Sequence, residues 1–469
     1  MPSPSPHRRT LWIGLGIVAG LLCGLATLAG GLSTAAAWTA GVTALCAIWW
    51  VTEPVPVPVT SLVPFVLFPL TGTLSHTEAA QAYGHHLILL LLGGFLLSAG
   101  MERSGAHRRI ALGLVALVGG GGKRLVLGVM LACAVCSMWI SNTATTLMLL
   151  PVVLAMIDGS DDPRLARPLL LGLAYSASIG GMGTPVGTPP NVVFMGIYQE
   201  ATGGPGVSFL EWMAIGLPVV SVLLPLAWLW LTRRLTGDVE APELPKPGPM
   251  TQRERRVLLL FGITAALWVF RTQPFGGWAE LSGFTAAKDS TVALGAAVAL
   301  FLLPSGEDEP DDRLLAWSDT RTLPWGLLLL FGGGIAIAKA FGSSGLAERL
   351  GTFIASDLGL ATWPLLLTSL ALALAVTFLT EVTSNTATTT LLMPVLAAAG
   401  IAAGIDPIIW MVPAALSASC AFMLPVATAP NAVVYGTDQV TVRDMVREGF
   451  ALNLIGAVVI ACLVSVLVG

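Results

Sequence analysis

Charge is scarce in this chain. Only 11% of its 469 residues are charged, 27 acidic and 23 basic, where soluble domains carry about a quarter. With 55% apolar residues and a mean hydropathy of +0.82, that scarcity excludes an ordinary soluble fold and defines an all-α polytopic membrane protein. Cysteine is sparse too. Residues 23, 46, 133, 136, 420 and 462 all lie in apolar segments, where they read as small buried hydrophobes, and Cys133-x-x-Cys136 lacks the surroundings of a redox motif. No clear small-residue cleavage site follows "MPSPSPHRR", so the first apolar run reads as a retained helix with a cytoplasmic amino terminus.

Long apolar runs are abundant: Leu11–Gly30, Leu87–Ala99, Phe209–Leu231, Val257–Phe270, Ser290–Leu303, Trp325–Ala338 and Phe450–Leu467 approach or reach the roughly 20 residues that cross a bilayer. Together with polar-interrupted segments they predict about 11 spans with two re-entrant hairpins between them. Net charge (−4) is less informative than where the positive residues fall. With alternate loops assigned to the cytoplasm, 19 of the 23 Lys and Arg lie inside, leaving Arg271, Lys288, Lys339 and Arg349 outside. This bias holds only if the segments after Lys123 and after Thr362 enter and leave the membrane on the same side.

Those two segments carry one motif twice. "SNTATTLMLLPV" at 141–152 and "SNTATTTLLMPV" at 384–395 agree at nine of twelve positions. Two further pairs accompany them: "LLLLGGFLLSAGMERSGAHRR" with "LLLLFGGGIAIAKAFGSSGLAER", and "SASIGGMGTPVGTPPNVVFMG" with "SASCAFMLPVATAPNAVVYG". The offsets are 240 from Ser104 to Ser344, 243 from Ser141 to Ser384 and 240 from Asn191 to Asn431. The chain is therefore two homologous halves, opposite in orientation under the topology above. The boundaries predicted are helices at 1–122, an inner hairpin with a broken helix at 123–235, and a cytoplasmic linker at 236–256. Helices at 257–362 and an outer hairpin with a broken helix at 363–469 follow. Inverted repeats of this kind place a site near the midplane, where discontinuous helices meet. The Gly- and Pro-rich third pair supplies the discontinuity, because Pro removes a donor and Gly loosens the helix.

Small hydroxylated residues in membrane helices ordinarily serve interhelical packing. The same Ser-Asn-Thr order at matching positions of opposed halves points instead to a site. A hairpin tip presents amide hydrogens and a helix dipole, which favour anions. Its hydroxyls, carbonyls and amide oxygens suit a small hard cation. Two Na+ sites follow: Ser137, Ser141, Asn142 and Gly187 form one, and Thr380, Ser384, Asn385 and Ala427 the other, with Gly187 and Ala427 acting through their carbonyls. Ser137 and Thr380 enter these sets because a helix would place a residue four before Ser141 or Ser384 on the same face. No Lys, Arg or His occurs in either SNT block or either break. Binding of an anion there depends on helix termini and co-bound cations, which is the basis of symport.

At these residues the sequence resembles the divalent anion:sodium symporter family of dicarboxylate, citrate and sulfate carriers. The marks are the paired SNT motifs, "GTPPN" and "ATAPN", "WWVTEPVPVPVTSLVPF" and "GGFLLSAGMERSGAHRR". The resemblance covers almost the whole chain and implies an eleven-span homodimer in the plasma (inner) membrane, with a scaffold domain of the helices in 1–122 and 257–362 and a transport domain, parts 123–235 and 363–469, that moves like an elevator. It also implies substrate contacts at Asn142, Thr143, Thr188, Asn385, Thr386 and Thr428. The chain departs from the first-half pattern at Ala429, where Pro189 stands in the other break. Sodium-coupled symport of a C4-dicarboxylate, such as succinate, malate or fumarate, is the expected function. A sodium-independent exchanger and a sulfate or citrate carrier are the alternatives.

Other residues are read as structural. Glu53 in its Pro-rich break and His85, His86 and His107 at span ends are expected at the interface. "GEDEPDD" at 306–312 is expected to be a solvated loop, and the 14 tryptophans to be interface anchors and core. Glu381, three residues before the second SNT, is expected to tune the second cation site or orient its hairpin. An intramembrane enzyme would need convergent carboxylates, a nucleophile or a metal cluster, and a channel a continuous pore. Neither pattern is present, nor is any feature that calls for nucleic acid.

Overall fold

The computed structural model describes residues 6–160, 162–235, 248–273, 275–306, 312–353 and 363–468. Among them the chain is helical throughout, and the one β feature is an isolated bridge between Pro304 and Arg313.

Among the described residues, seven helices are long and apolar enough to cross a membrane, and five shorter apolar ones accompany them. The first half runs through α1 (Pro6–Ala29), α2 (Thr34–Thr52), α3 (Val57–Thr60), α4 (Val63–Leu70), α5 (His76–Tyr83), α6 (His86–Ser104) and α7 (Ala106–Val118). A hairpin of α8 (Lys123–Ser137) and α9 (Asn142–Asp158) follows. After it come α10 (Ala166–Gly181), α11 (Pro189–Thr202) and α12 (Phe209–Thr232). The second half contains α13 (Gln252–Val269), α14 (Gly277–Leu281), α15 (Asp289–Leu302), α16 (Trp325–Ser344) and α17 (Leu346–Thr352). A second hairpin, α18 (Leu365–Thr380) and α19 (Asn385–Ala402), leads to α20 (Ile408–Ser417), α21 (Ala429–Tyr435) and α22 (Val442–Leu467).

The sequence repeat is a repeat of shape. Both α6 and α16 end at a left-handed glycine, Gly105 and Gly345, each with φ 75° and ψ 2°, and a short helix follows each. A side chain is disfavoured in that region, which is why glycine stands at the turn. Each hairpin packs against the broken helix of its own half, α8 on α10 and α18 on α20. Contacts also cross between halves: α11 lies on α16 and α19, α21 on α9 and α10, and α22 on α12.

Several expectations change in detail. The polar linker is shorter than 236–256, because α13 begins at Gln252; residues 236–247 lie outside the described residues. The acidic stretch is not wholly solvated. Residues 307–311 lie outside the described residues, but Asp312 pairs with Arg103 at 2.7 Å and also with Arg253. These pairs tie the end of α6 to the start of α13. All six cysteines are free, four of them buried, one intermediate and Cys462 exposed.

Candidate functional site

Each hairpin turns at its SNT motif. Ser141 and Ser384 stand at the caps of α9 and α19, and their hydroxyls accept from the amides of Ala144 at 3.2 Å and Ala387 at 3.5 Å. One free amide of each first turn is thereby satisfied by the motif itself. Asn142 and Asn385 open the helices. Their amide oxygens accept from the hydroxyls at the ends of the preceding arms, Ser137 at 2.6 Å and Thr380 at 2.5 Å.

That pairing corrects one premise. Ser137 and Ser141 do not share a helix face, because α8 stops at Ser137 and a turn intervenes; α18 likewise stops at Thr380. Both hydroxyls are buried. Each faces a carbonyl of the broken helix as well, Ala177 at 2.7 Å and Ala418 at 3.1 Å. They therefore sit one layer behind the turn, joining hairpin, asparagine and break.

The breaks are held by their own asparagines. Asn191 Nδ2 donates to the carbonyls of Gly181 (3.0 Å) and Thr184 (2.7 Å), and Asn431 Nδ2 to those of Ala421 and Leu424 (both 3.0 Å). The spacing back along the chain is the same in both halves, so Gly181 and Ala421 are structural counterparts. Unwound backbone at this depth must find internal partners, and these side chains provide them.

The two breaks differ in length. Helix α10 stays wound to Gly181, whereas α20 ends at Ser417 and leaves Ala418–Thr428 unwound. The additional free amides of the second break are met by side chains of other elements. Glu381 accepts from Met423 N at 2.8 Å, Leu424 N at 2.9 Å and Asn453 Nδ2 at 2.7 Å, and Asn453 Oδ1 accepts from Phe422 N at 3.3 Å. Glu381 thus orients the second hairpin against its break. At the corresponding place in the first half stands Met138, whose carbonyl takes a bond from the Thr184 hydroxyl.

The four segments converge on one cavity of about 700 Å³. Residues 141–144, 187–189, 384–386 and 427–430 line it, so the first turns of α9, α11, α19 and α21 all face it. Every expected substrate residue (Asn142, Thr143, Thr188, Asn385, Thr386 and Thr428) is on its wall. So are Ser141, Gly187, Ser384 and Ala427 of the cation sets; Ser137 and Thr380 lie behind. Among the described residues, no Lys, Arg or His is on the lining. The sequence reading missed that Glu53 and Glu102 lie on the wall. Glu53 adopts a left-handed conformation with φ 45° at the end of α2, which is uncommon outside glycine, and Glu102 accepts from Ser98 at 3.2 Å. The proline-rich sequence after Glu53 signalled a turn, but only the packing of α2 against α16 and α19 reveals the wall.

The first cation set has the shape of a niche. A Cβ on Gly181 would stand 2.7 Å from Asn142 Oδ1 and 3.2 Å from the Gly187 carbonyl oxygen, so the space that glycine leaves is bordered by two of the expected ligands. Oxygen donors without sulfur or imidazole suit a hard cation.

A polytopic all-helical chain with duplicated hairpins and broken helices around one polar cavity is a secondary transporter in architecture. The citrate transporter family model matches residues 47–415, and the chain belongs to that family. Among curated relatives, the sodium-dependent dicarboxylate transporter SdcS of Staphylococcus saprophyticus is 38% identical, over 93% of this chain and 87% of its own length. SdcS of Staphylococcus aureus strain NCTC 8325 is 37% identical, over 90% and 84%. These matches bear out the resemblance to sodium-coupled divalent-anion carriers. Solved structures share the fold at low identity. The YdaH transporter of Alcanivorax borkumensis aligns with a TM-score of 0.59 at 15% identity, over 86% of this chain and 88% of that one. MtrF of Neisseria gonorrhoeae gives 0.54 at 13%, over 83% of each.

Proposed function

We propose that the protein carries a C4-dicarboxylate across the membrane together with sodium, by elevator-type alternating access. The observation that carries this reading is the composition of the cavity wall: two SNT turns and two helix breaks, with no cationic side chain among the lining residues. A dianion entering it meets the amino-terminal ends of helices, whose partial positive charge and free amides favour anions by about 0.3–1 kcal/mol each. The remaining charge is offset by sodium, one ion beside Ser137, Ser141, Asn142 and Gly187 and one beside Thr380, Ser384, Asn385 and Ala427. Asn142, Thr143, Thr188, Asn385, Thr386 and Thr428 contact the substrate. The asparagines serve both ligands, so an ion bound at the amide oxygen orients the amide that meets the carboxylate.

In this reading about eleven spans and two hairpins form a homodimer in the plasma membrane, with the amino terminus in the cytoplasm. The cavity wall reaches Glu102, beside Arg103 at the end of α6, and Thr322 of the 3₁₀ turn Trp317–Thr322, so in this reading that end lies on the cytoplasmic side, where the positive charge falls. The hairpins and broken helices move as the transport domain against α1–α7 and α13–α17.

Purified protein in liposomes tests this. Radiolabelled succinate should accumulate under an inward sodium gradient and not under an equal potassium gradient, and Asn142→Ala or Asn385→Ala should abolish accumulation while the protein stays folded. Uptake indifferent to sodium but dependent on internal dicarboxylate would make the protein an exchanger; full uptake by both variants would overturn the site.

A further inference from the structure

Beyond the substrate site, the end of α11 remote from the cavity carries a second set of contacts. Gly196, Gln199 and Glu200 follow the spacing that shares one helix face, and each meets a helix of the other group. A Cβ on Gly196 would stand 3.4 Å from Ile335 of α16 and 3.7 Å from Leu87 of α6. Gln199 Oε1 lies 3.0 Å from His86 Nε2 at the start of α6, and Glu200 Oε1 lies 3.5 Å from Lys339 Nζ on α16. Lys339 and Glu200 are each about one-fifth exposed, so the pair is shielded more than a surface ion pair.

The seam and the open cavity lie toward opposite ends of the same helices. Gly94, Phe95, Ser98 and Glu102 of α6 line the cavity, and His86 stands about two to four turns earlier; on α16, Leu327 lines it and Lys339 stands about three turns later. The repeat shows what the matching seam of the other half would contain. At the offset of 240, Ile335, Lys339, Leu87 and His86 correspond to Phe95, Ala99, Leu327 and Gly326, while Gln199 and Glu200 correspond to Gln439 and Val440. Phe95, Ala99 and Leu327 line the open cavity, so this second seam is parted where the first is closed. Its chemistry also differs: the ion pair has become Ala99 and Val440, and the histidine–glutamine pair has become Gly326 and Gln439.

We propose that Lys339–Glu200 and His86–Gln199 are the outer gate of the transport cycle, a polar latch that closes the external path and has no polar equivalent on the cytoplasmic side. This rests on the assignment of α11 to the moving body and of α6 and α16 to the fixed one. Breaking the latch frees the outward-open state, and external substrate then binds with a lower apparent constant, because that constant scales inversely with the fraction of competent protein.

The test uses the reconstituted full-length chain with external and internal half-saturation measured separately. Lys339→Gln and Glu200→Gln should each lower the external KM for succinate about threefold or more, and the exchanged pair Lys339→Glu with Glu200→Lys should return it to the original value. Single variants with unchanged external KM, or an exchanged pair that behaves like the singles, would overturn the latch. A second measurement covers variants that fold poorly. In Lys339→Cys with Glu200→Cys, cross-linking should stop uptake and reductant should restore it, with the parent chain treated in parallel; undiminished uptake by the cross-linked protein would show that this seam does not part. An absence of sodium-driven uptake by the parent chain would instead count against the transport reading itself.

Discussion

Gly181 is where one missing carbon has a large effect. The residue borders Asn142 Oδ1 and the Gly187 carbonyl so closely that a methyl group would occupy the space between them. Gly181→Ala should therefore raise the sodium concentration for half-maximal uptake at least tenfold, while the protein keeps its melting temperature within a few degrees; sodium titration of uptake and a thermal melt check both halves of this expectation. The same reasoning separates the two cation niches. Ala421 already stands at the matching position of the second break and carries the methyl group that Gly181 lacks. Ser137 and Thr380 donate to the asparagine amide oxygens, and losing either hydroxyl frees that amide to turn.

The second broken helix depends on a side chain from the neighbouring hairpin. Two backbone amides and one side-chain amide of Asn453 donate to the buried carboxylate of Glu381, and hydrogen bonds to charged groups contribute about 1.5–3 kcal/mol each. Glu381→Gln keeps the shape but turns an NH2 group toward donors. It should lower the melting temperature markedly and reduce transport rate, whereas Met138→Leu, at the matching place in the first half, should change stability little. Differential scanning measurements on the two variants make the comparison. Much of this scale was legible in the residues. Paired SNT and T-x-P-N motifs located both hairpins and both breaks, because Pro, Gly and capping residues act locally. The different lengths of the breaks were not legible: the second half has one residue fewer between the matched carbonyls, Ala177 to Gly181 against Ala418 to Ala421, and only the hydrogen bonds reveal that register. The stops at Ser137 and Thr380 escaped for the same reason: a polar residue in an apolar arm does not announce whether the helix continues. Glu53 and Glu102 reach the cavity through the packing of distant helices, which no local pattern encodes.

Over the whole molecule, a cavity wall without cationic side chains among the described residues predicts that anion and sodium bind interdependently. Ligand that binds only the native state stabilises it in proportion to its occupancy, so succinate in sodium buffer should raise the melting temperature by a few degrees. Succinate in potassium or choline buffer should leave it unchanged, and an equal rise in all three would deny the linkage. The way the halves interlock carries a further consequence. Helix α11 of one half rests on α19 of the other, α21 on α9 and α10, and α22 on α12, so neither half encloses the cavity by itself. A chain of half this length would therefore enclose such a cavity only by pairing with a second copy, so separating the halves should cost the cavity as well as the fold.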